Sequence, residues 1–132
     1  MALEISNFEK ARRANQAFGG GSYTAATSFE VKAFYTVVDL DGLGTECDAA
    51  GYAPIEITNN TTNFPSTTTG IKTLAVAHSS DTFTEDSDDI LSFGIFDQLG
   101  NLIARKVLSS PLVVENGQSL TIAVSDLTFT VS

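Results

Sequence analysis

From Ser28 onward the apolar residues of this 132-residue chain recur at every second position, a period that excludes a helical fold for most of its length. Phe29, Val31, Ala33, Tyr35 and Val37 alternate with Glu30, Lys32, Phe34, Thr36 and Val38, the pattern of a long, half-buried strand. A shorter run from Ala53 to Thr58, led by Ile55 and Ile57, repeats it, and Leu74 and Val76, with Ile71, mark another. The strongest apolar run, Ile90 to Asp97, precedes Gln98-Leu99-Gly100-Asn101 and then Leu102 to Leu108. That order predicts a β-hairpin through a short glycine-containing turn. Leu112 to Glu115 lead into Asn116-Gly117, Leu120, Ile122 and Val124 lead out of it, and Leu127, Phe129 and Val131 form a terminal strand. Pro65 breaks the Thr- and Asn-rich stretch 59–70, which reads as an exposed loop or edge. Seven to eight short strands separated by turns predict an all-β fold, an antiparallel β-sandwich or jelly roll.

The first twenty residues follow a different rule. Ser6-Asn7-Phe8-Glu9 has the form of a capping box, in which the Ser6 hydroxyl takes the amide of Glu9 and Glu9 reaches back to the amide of Ser6. Good helix formers continue to Ala17, and three consecutive glycines, Gly19 to Gly21, end the run. The spacing predicts one short N-terminal helix, about residues 6 to 18, with Phe8, Ala11, Ala14 and Phe18 on a narrow stripe. Arg12 and Arg13 fall away from that stripe. So weakly apolar a helix belongs on a surface, and the chain divides into a helical arm, 1–21, and a β-sandwich domain, 22–132.

Charge narrows the partners. The formal net charge is −9, yet residues 1–13 set Lys10, Arg12 and Arg13 against Glu4 and Glu9, a local sum of +1. The remaining body carries −10, which repels nucleic acid and anionic membranes, so neither is expected as a partner. Hydrophobic content of 42% against 17% charged residues excludes a disordered chain. Cys47 is the single cysteine, so an internal disulfide is impossible and synthesis in a reducing cytosol is expected. No apolar run approaches a membrane span, and the N-terminal charges follow Leu3 and Ile5, the reverse of a signal peptide. The glycosylation sequons in Asn59-Asn60-Thr61-Thr62 are then incidental to a Thr-rich loop.

No catalytic constellation emerges. His78 is the only histidine, its neighbours Ser79, Ser80 and Asp81 are too close in sequence to engage both ring nitrogens, and no Gly-x-Ser-x-Gly elbow occurs. It reads as a strand-end surface residue. One cysteine and one histidine far apart cannot serve zinc, and no cofactor is expected. Asp39, Asp41 and Glu46 miss the EF-hand spacing because their glycine comes too early. Asp81, Glu85, Asp86, Asp88 and Asp89 are a weak Ca²⁺ candidate, set against a solvated acidic loop and a contact for a basic partner. The absence of tryptophan removes the usual sugar-stacking platform of a glycosidase. Lys72, Arg105 and Lys106 are expected to solvate outward strand faces. Phe34 and Val38, on the nominally polar face of their strand, are either covered by the chain's own elements or exposed as a patch for another subunit.

The segment from Phe93 to Ser132 carries a resemblance. It is similar to a family of small tailed-phage virion proteins described as phage tail fibre or structural proteins. That pattern has a short helix ending in Phe-Gly-Gly, then Tyr-Thr, a strand, a Gly-Tyr element, a hairpin of the gIFD…gNLL type and a closing glycine-led strand. The matching residues are Phe18-Gly19-Gly20, Tyr23-Thr24, Val31 to Phe34, Gly51-Tyr52-Ala53, Gly94-Ile95-Phe96-Asp97, Gly100-Asn101-Leu102 and Gly117-Gln118-Ser119-Leu120, in order across residues 7 to 132. The chain departs from the pattern at Ala53, where a basic residue is usual, in the Thr84 to Asp89 loop, where tryptophan is usual, and in its more charged helix. The resemblance implies a virion location and transfers no catalytic residue.

The expected function is therefore that of a non-enzymatic phage virion protein, made in the host cytoplasm. The leading form is an oligomeric capsid decoration or cement protein; a tail or baseplate component is the alternative, and a carbohydrate- or receptor-binding module the alternative of another class. Phage capsid or tail proteins and further copies of the chain are the expected partners. Phe8, Arg12, Arg13, Phe18, Phe34 and Val38 are the candidate interface.

Overall fold

A computed structural model describes residues 3–22, 24–68, 71–123, 126 and 128–130, the last three by backbone alone. Tyr23, Val124, Leu127 and Val131 lie outside the described residues, as does the side chain of Phe129. The elements run β1 (Glu4–Ile5), α1 (Asn7–Ala17), β2 (Ser28–Phe34), β3 (Ile55–Thr58), β4 (Ile71–Thr73), β5 (His78–Ser79), β6 (Ile90–Asp97), β7 (Leu102–Leu112), β8 (Thr121–Ile122) and β9 (Thr128–Thr130). The architecture is the expected one: antiparallel β throughout, with one short helix.

A five-stranded sheet in the order β1-β7-β6-β2-β3 forms the main layer, and two small ladders, β5–β8 and β4–β9, accompany it. The register Val31↔Ile95 and Val31↔Ile55, with Phe29↔Ile57, puts the odd-numbered β2 residues on one face with their partners. There Val31, Ala33, Ile55, Ile57 and Ile95 meet Leu74, Phe83, Val114, Leu120 and Ile122 in the principal core. The small β5–β8 ladder supplies Ile122 to that core, which is why two-residue strands suffice to close it.

The opposite face has its own small core. Phe34, Val38, Phe96 and Leu102 are buried together there, so Phe34 and Val38 do not form the exposed patch that was one of their two expected settings. The loop after β2 covers them: Tyr35 donates to the Thr45 carbonyl, Asp39 to that of Leu43, and Gly42 and Gly44 lie against Leu102, Phe96 and Phe34. Glycine is required at 94 for the same cluster, since a Cβ there would stand 2.7 Å from a Phe96 ring carbon and 3.2 Å from Phe34.

Several local expectations change. β2 ends at Phe34, not Val38, because Tyr35 turns to pair with the returning loop. β4 is centred on Lys72, ahead of Leu74 and Val76. The turn at Asn116-Gly117 forms, but it does not close a hairpin: β7 already ends at Leu112, and β8 pairs with β5. The terminal β9 pairs with β4. The β6–β7 hairpin is as expected, with Asp97 accepting from the amides of Leu99 and Asn101 and from the Asn101 side chain. β1 had no signal at all, being two residues long.

Candidate assembly surface

Helix α1 is anchored by its N-cap residue, Ser6. The Ser6 hydroxyl accepts from the Glu9 amide, as the capping box predicts, and donates to the Leu102 carbonyl. The reciprocal half of the box is absent, because the Ser6 amide donates instead to the carbonyl of Ile103 on β7. Glu4 and Ile5 pair with Arg105 and Ala104, so the segment entering the helix is the edge strand of the main sheet. Asn7 adds an amide bond to the Leu40 carbonyl and a side-chain bond to Asp41.

Freed from reaching back to Ser6, the Glu9 carboxylate is buried, and Arg12 (2.5 Å) and Arg13 (2.9 Å) close on it. Arg12 also donates to the Thr24 carbonyl and lies 5.5 Å from the centre of the Phe8 ring. The two arginines, expected at the interface, therefore lie half-buried on the inner side of the helix, both paired with Glu9. The other side faces solvent. Ala11, Ala14, Ala17 and Lys10 are exposed, Phe8 is 39% exposed and Phe18 81%. An ordinary surface helix buries its apolar stripe and solvates its charges; α1 does the reverse.

The remaining candidates have structural roles. In the acidic loop, a Glu85 oxygen takes the Ala50 amide at 2.7 Å and an Asp86 oxygen the Asn116 amide at 2.8 Å, while Asp81, Asp88 and Asp89 are exposed. Two of the five carboxylates of the Ca²⁺ candidate, Glu85 and Asp86, thus tie down separate backbone amides. Among the described residues no three His, Cys, Asp or Glu side chains group as metal ligands. Asp39 accepts from the amides of Leu43 and Asp41, and the Leu43 bond foremost holds its carboxyl below the usual value. His78 is half-buried, with its Nε2 3.1 Å from the Asn63 amide oxygen. Lys72 donates to the carbonyls of Phe64 and Pro65. Arg105, expected to be solvated, pairs with Glu4 and donates to the Val38 carbonyl, closing the second core.

Tyr52 is the residue that pattern reading left without a role. β3 pairs with β2 only through Val31, and the Tyr52 hydroxyl takes the next free amide, Ala33, while donating to Glu46. Burial, with the charge of Glu46 added, raises its phenol far above the usual range. The preceding Gly51 has φ +87°, and a Cβ there would stand 2.5 Å from the Thr82 carbonyl oxygen. A cavity of about 80 Å³ is lined by Leu3, Val31, Ile55, Phe93, Ile95, Leu120 and Ile122, with Lys106, Thr121 and Asp126 completing its wall.

The matched motifs are thus framework elements: Gly94 admits two rings, Asp97 ties a turn, Gly51-Tyr52 patches a strand edge. A family model described as podophage GP4 fiber I protein gp80 matches residues 4–130. The chain belongs to that family. The match takes in the edge strand, α1 and both cores. Membership makes the chain a structural component of a phage virion, as the resemblance implied. No curated protein matches it. Among the described residues no helix is long and apolar enough to cross a membrane.

Proposed function

We propose that the chain is a non-catalytic fibre subunit on the tail of a podophage, and that α1 is its assembly element. The observation that carries the tail assignment is the match to a fiber I family over residues 4–130. Nothing in the fold favours the capsid shell over the fibre, so capsid decoration gives way to the tail reading. The inverted helix supports the assembly role. Phe8 and Phe18 expose apolar surface on an element held to the body by Ser6, Glu9 and the β1–β7 pairing. Exposed aromatics on a rigid support are what protein interfaces use as anchors.

The test is to locate the protein in the intact particle by gold-labelled antibody and to count its copies. Label at the tail in a small number of copies is expected. Label spread over the capsid in hundreds of copies restores the decoration reading and overturns this one.

A further inference from the structure

One lysine of β7 stands on the face of its strand that turns away from solvent. In the β6–β7 register Lys106 lies opposite Phe93, as Ala104 lies opposite Ile95. Residues two apart on a strand share a face. Lys106 therefore shares the face of Ala104, which is fully buried, and of Leu108, which packs against the principal core. It is not the outward-facing lysine that its charge alone predicts. Among the described residues no hydrogen bond or ion pair holds its ammonium.

Lys106 instead lines the cavity of about 80 Å³, whose wall divides by polarity. Val31, Ile55, Ile95, Leu120 and Ile122 are buried hydrocarbon, whereas Lys106 is half-buried and Thr121 and Asp126 are exposed. The apolar groups thus make the floor and the charges stand at the mouth. The Thr121 hydroxyl is already engaged by that of Ser79. Asp126 takes the Ala123 amide on one carboxylate oxygen at 2.8 Å, which fixes the group in place. Among the described residues no ion pair closes it onto Lys106. A cation and an anion therefore flank one apolar pocket without satisfying each other.

Size and charge together select a ligand. An apolar cavity of about 150 Å³ takes a benzene ring, so about 80 Å³ has room for about three or four carbons. A simple carboxylate would meet Lys106 but face Asp126, and a simple amine would do the reverse. A zwitterion satisfies both. We propose that the cavity is a binding site for a free α-amino acid with a branched apolar side chain, of the valine or leucine class. The side chain fills the floor, the carboxylate meets Lys106 and the ammonium meets Asp126. The wall draws on β2, β3, β6 and β7 of the main sheet and on β8 of a small ladder, so an occupant ties the two together. A ligand held only by the folded chain stabilises it. The site is independent of the chain's place in the particle.

The experiment is calorimetric titration of the full chain with L-leucine, L-valine, L-phenylalanine, isovalerate and isoamylamine, repeated on Lys106→Met and Asp126→Asn. Both substitutions remove a charge and keep the length of the side chain, and circular dichroism checks that each variant folds. Leucine or valine should bind once per chain and raise the thermal midpoint. Phenylalanine should bind more weakly, because its ring exceeds the floor. Isovalerate and isoamylamine should each bind more than about tenfold more weakly than leucine, and leucine should lose as much on each variant, since one charge-assisted contact is missing in every case. A natural chain that takes up benzene but neither leucine nor valine holds a dry void only, which overturns the proposal. Isovalerate or isoamylamine binding as tightly as leucine overturns the zwitterion, and so does leucine binding unchanged to both variants.

Discussion

Gly94 and Tyr52 show how the matched motifs act residue by residue. Alanine at 94 would press a methyl to 2.7 Å from the Phe96 ring, which is held 6.0 Å from Phe34 centre to centre. Such overpacking costs about 1–3 kcal/mol, so Gly94→Ala should lower the urea midpoint without changing the slope of the transition. The tyrosines make a prediction about alkali. Burial foremost, with the Cys47 hydrogen bond added, pushes the phenol of Tyr35 up to about 12, and that of Tyr52 lies higher still. A phenol raised in the folded state contributes stability that is whole below its unfolded value of about 10 and is lost as pH climbs through the folded one. Stability should therefore hold up to about pH 10 and then fall, with absorbance at 295 nm reporting at least two phenols that ionise late. Full ionisation near pH 10 in the folded protein would refute it. The motif glycine and tyrosine were legible in the sequence as letters. Their reasons were not, because a Cβ clash and a patched amide exist only between segments tens of residues apart.

At the scale of the element, α1 depends on Ser6 more than on its own propensity. An isolated helix of 11 residues is marginal in water. Ser6 caps it, docks it on Leu102 and is fully buried. Ser6→Ala should cost about 2 kcal/mol, combining a lost cap with a buried carbonyl left unpaired. The measurement is chemical denaturation, with hydrogen exchange of the α1 amides rising in step. Glu9→Gln should cost a similar amount, of order 2–3 kcal/mol, because it leaves two half-buried guanidinium groups facing a neutral amide. Mutation of the exposed Lys10 should leave stability unchanged within about 0.5 kcal/mol. The sequence located this helix to within a residue, since capping chemistry and the glycine stop are local. It did not place the charges. Arg12 and Arg13 fall away from the Phe8, Ala11, Ala14 and Phe18 stripe on a helical wheel, but the Ser6–Ile103 bond turns Glu9 inward and the two arginines follow it.

For the whole molecule, deleting residues 1–18 is a poor probe of assembly, because the deletion also strips β1 from β7 and uncaps Leu102 and Ile103. The truncated chain should be less stable, by a loss measurable in its thermal midpoint, whereas Phe18→Asp should spare the fold and affect only association. The sequence by itself determined the fold class, the helix, the central hairpin and virion kinship, because alternation, capping boxes and turn residues act over a few neighbours and leave their marks in order. Only the tertiary structure decided which strands pair, that Phe34 and Val38 are roofed by their own loop, and that Arg12 and Arg13 turn inward to Glu9. Those outcomes depend on contacts across the chain, such as Ser6 with Leu102 and His78 with Ile122, whose energies are set by burial and leave no periodic trace.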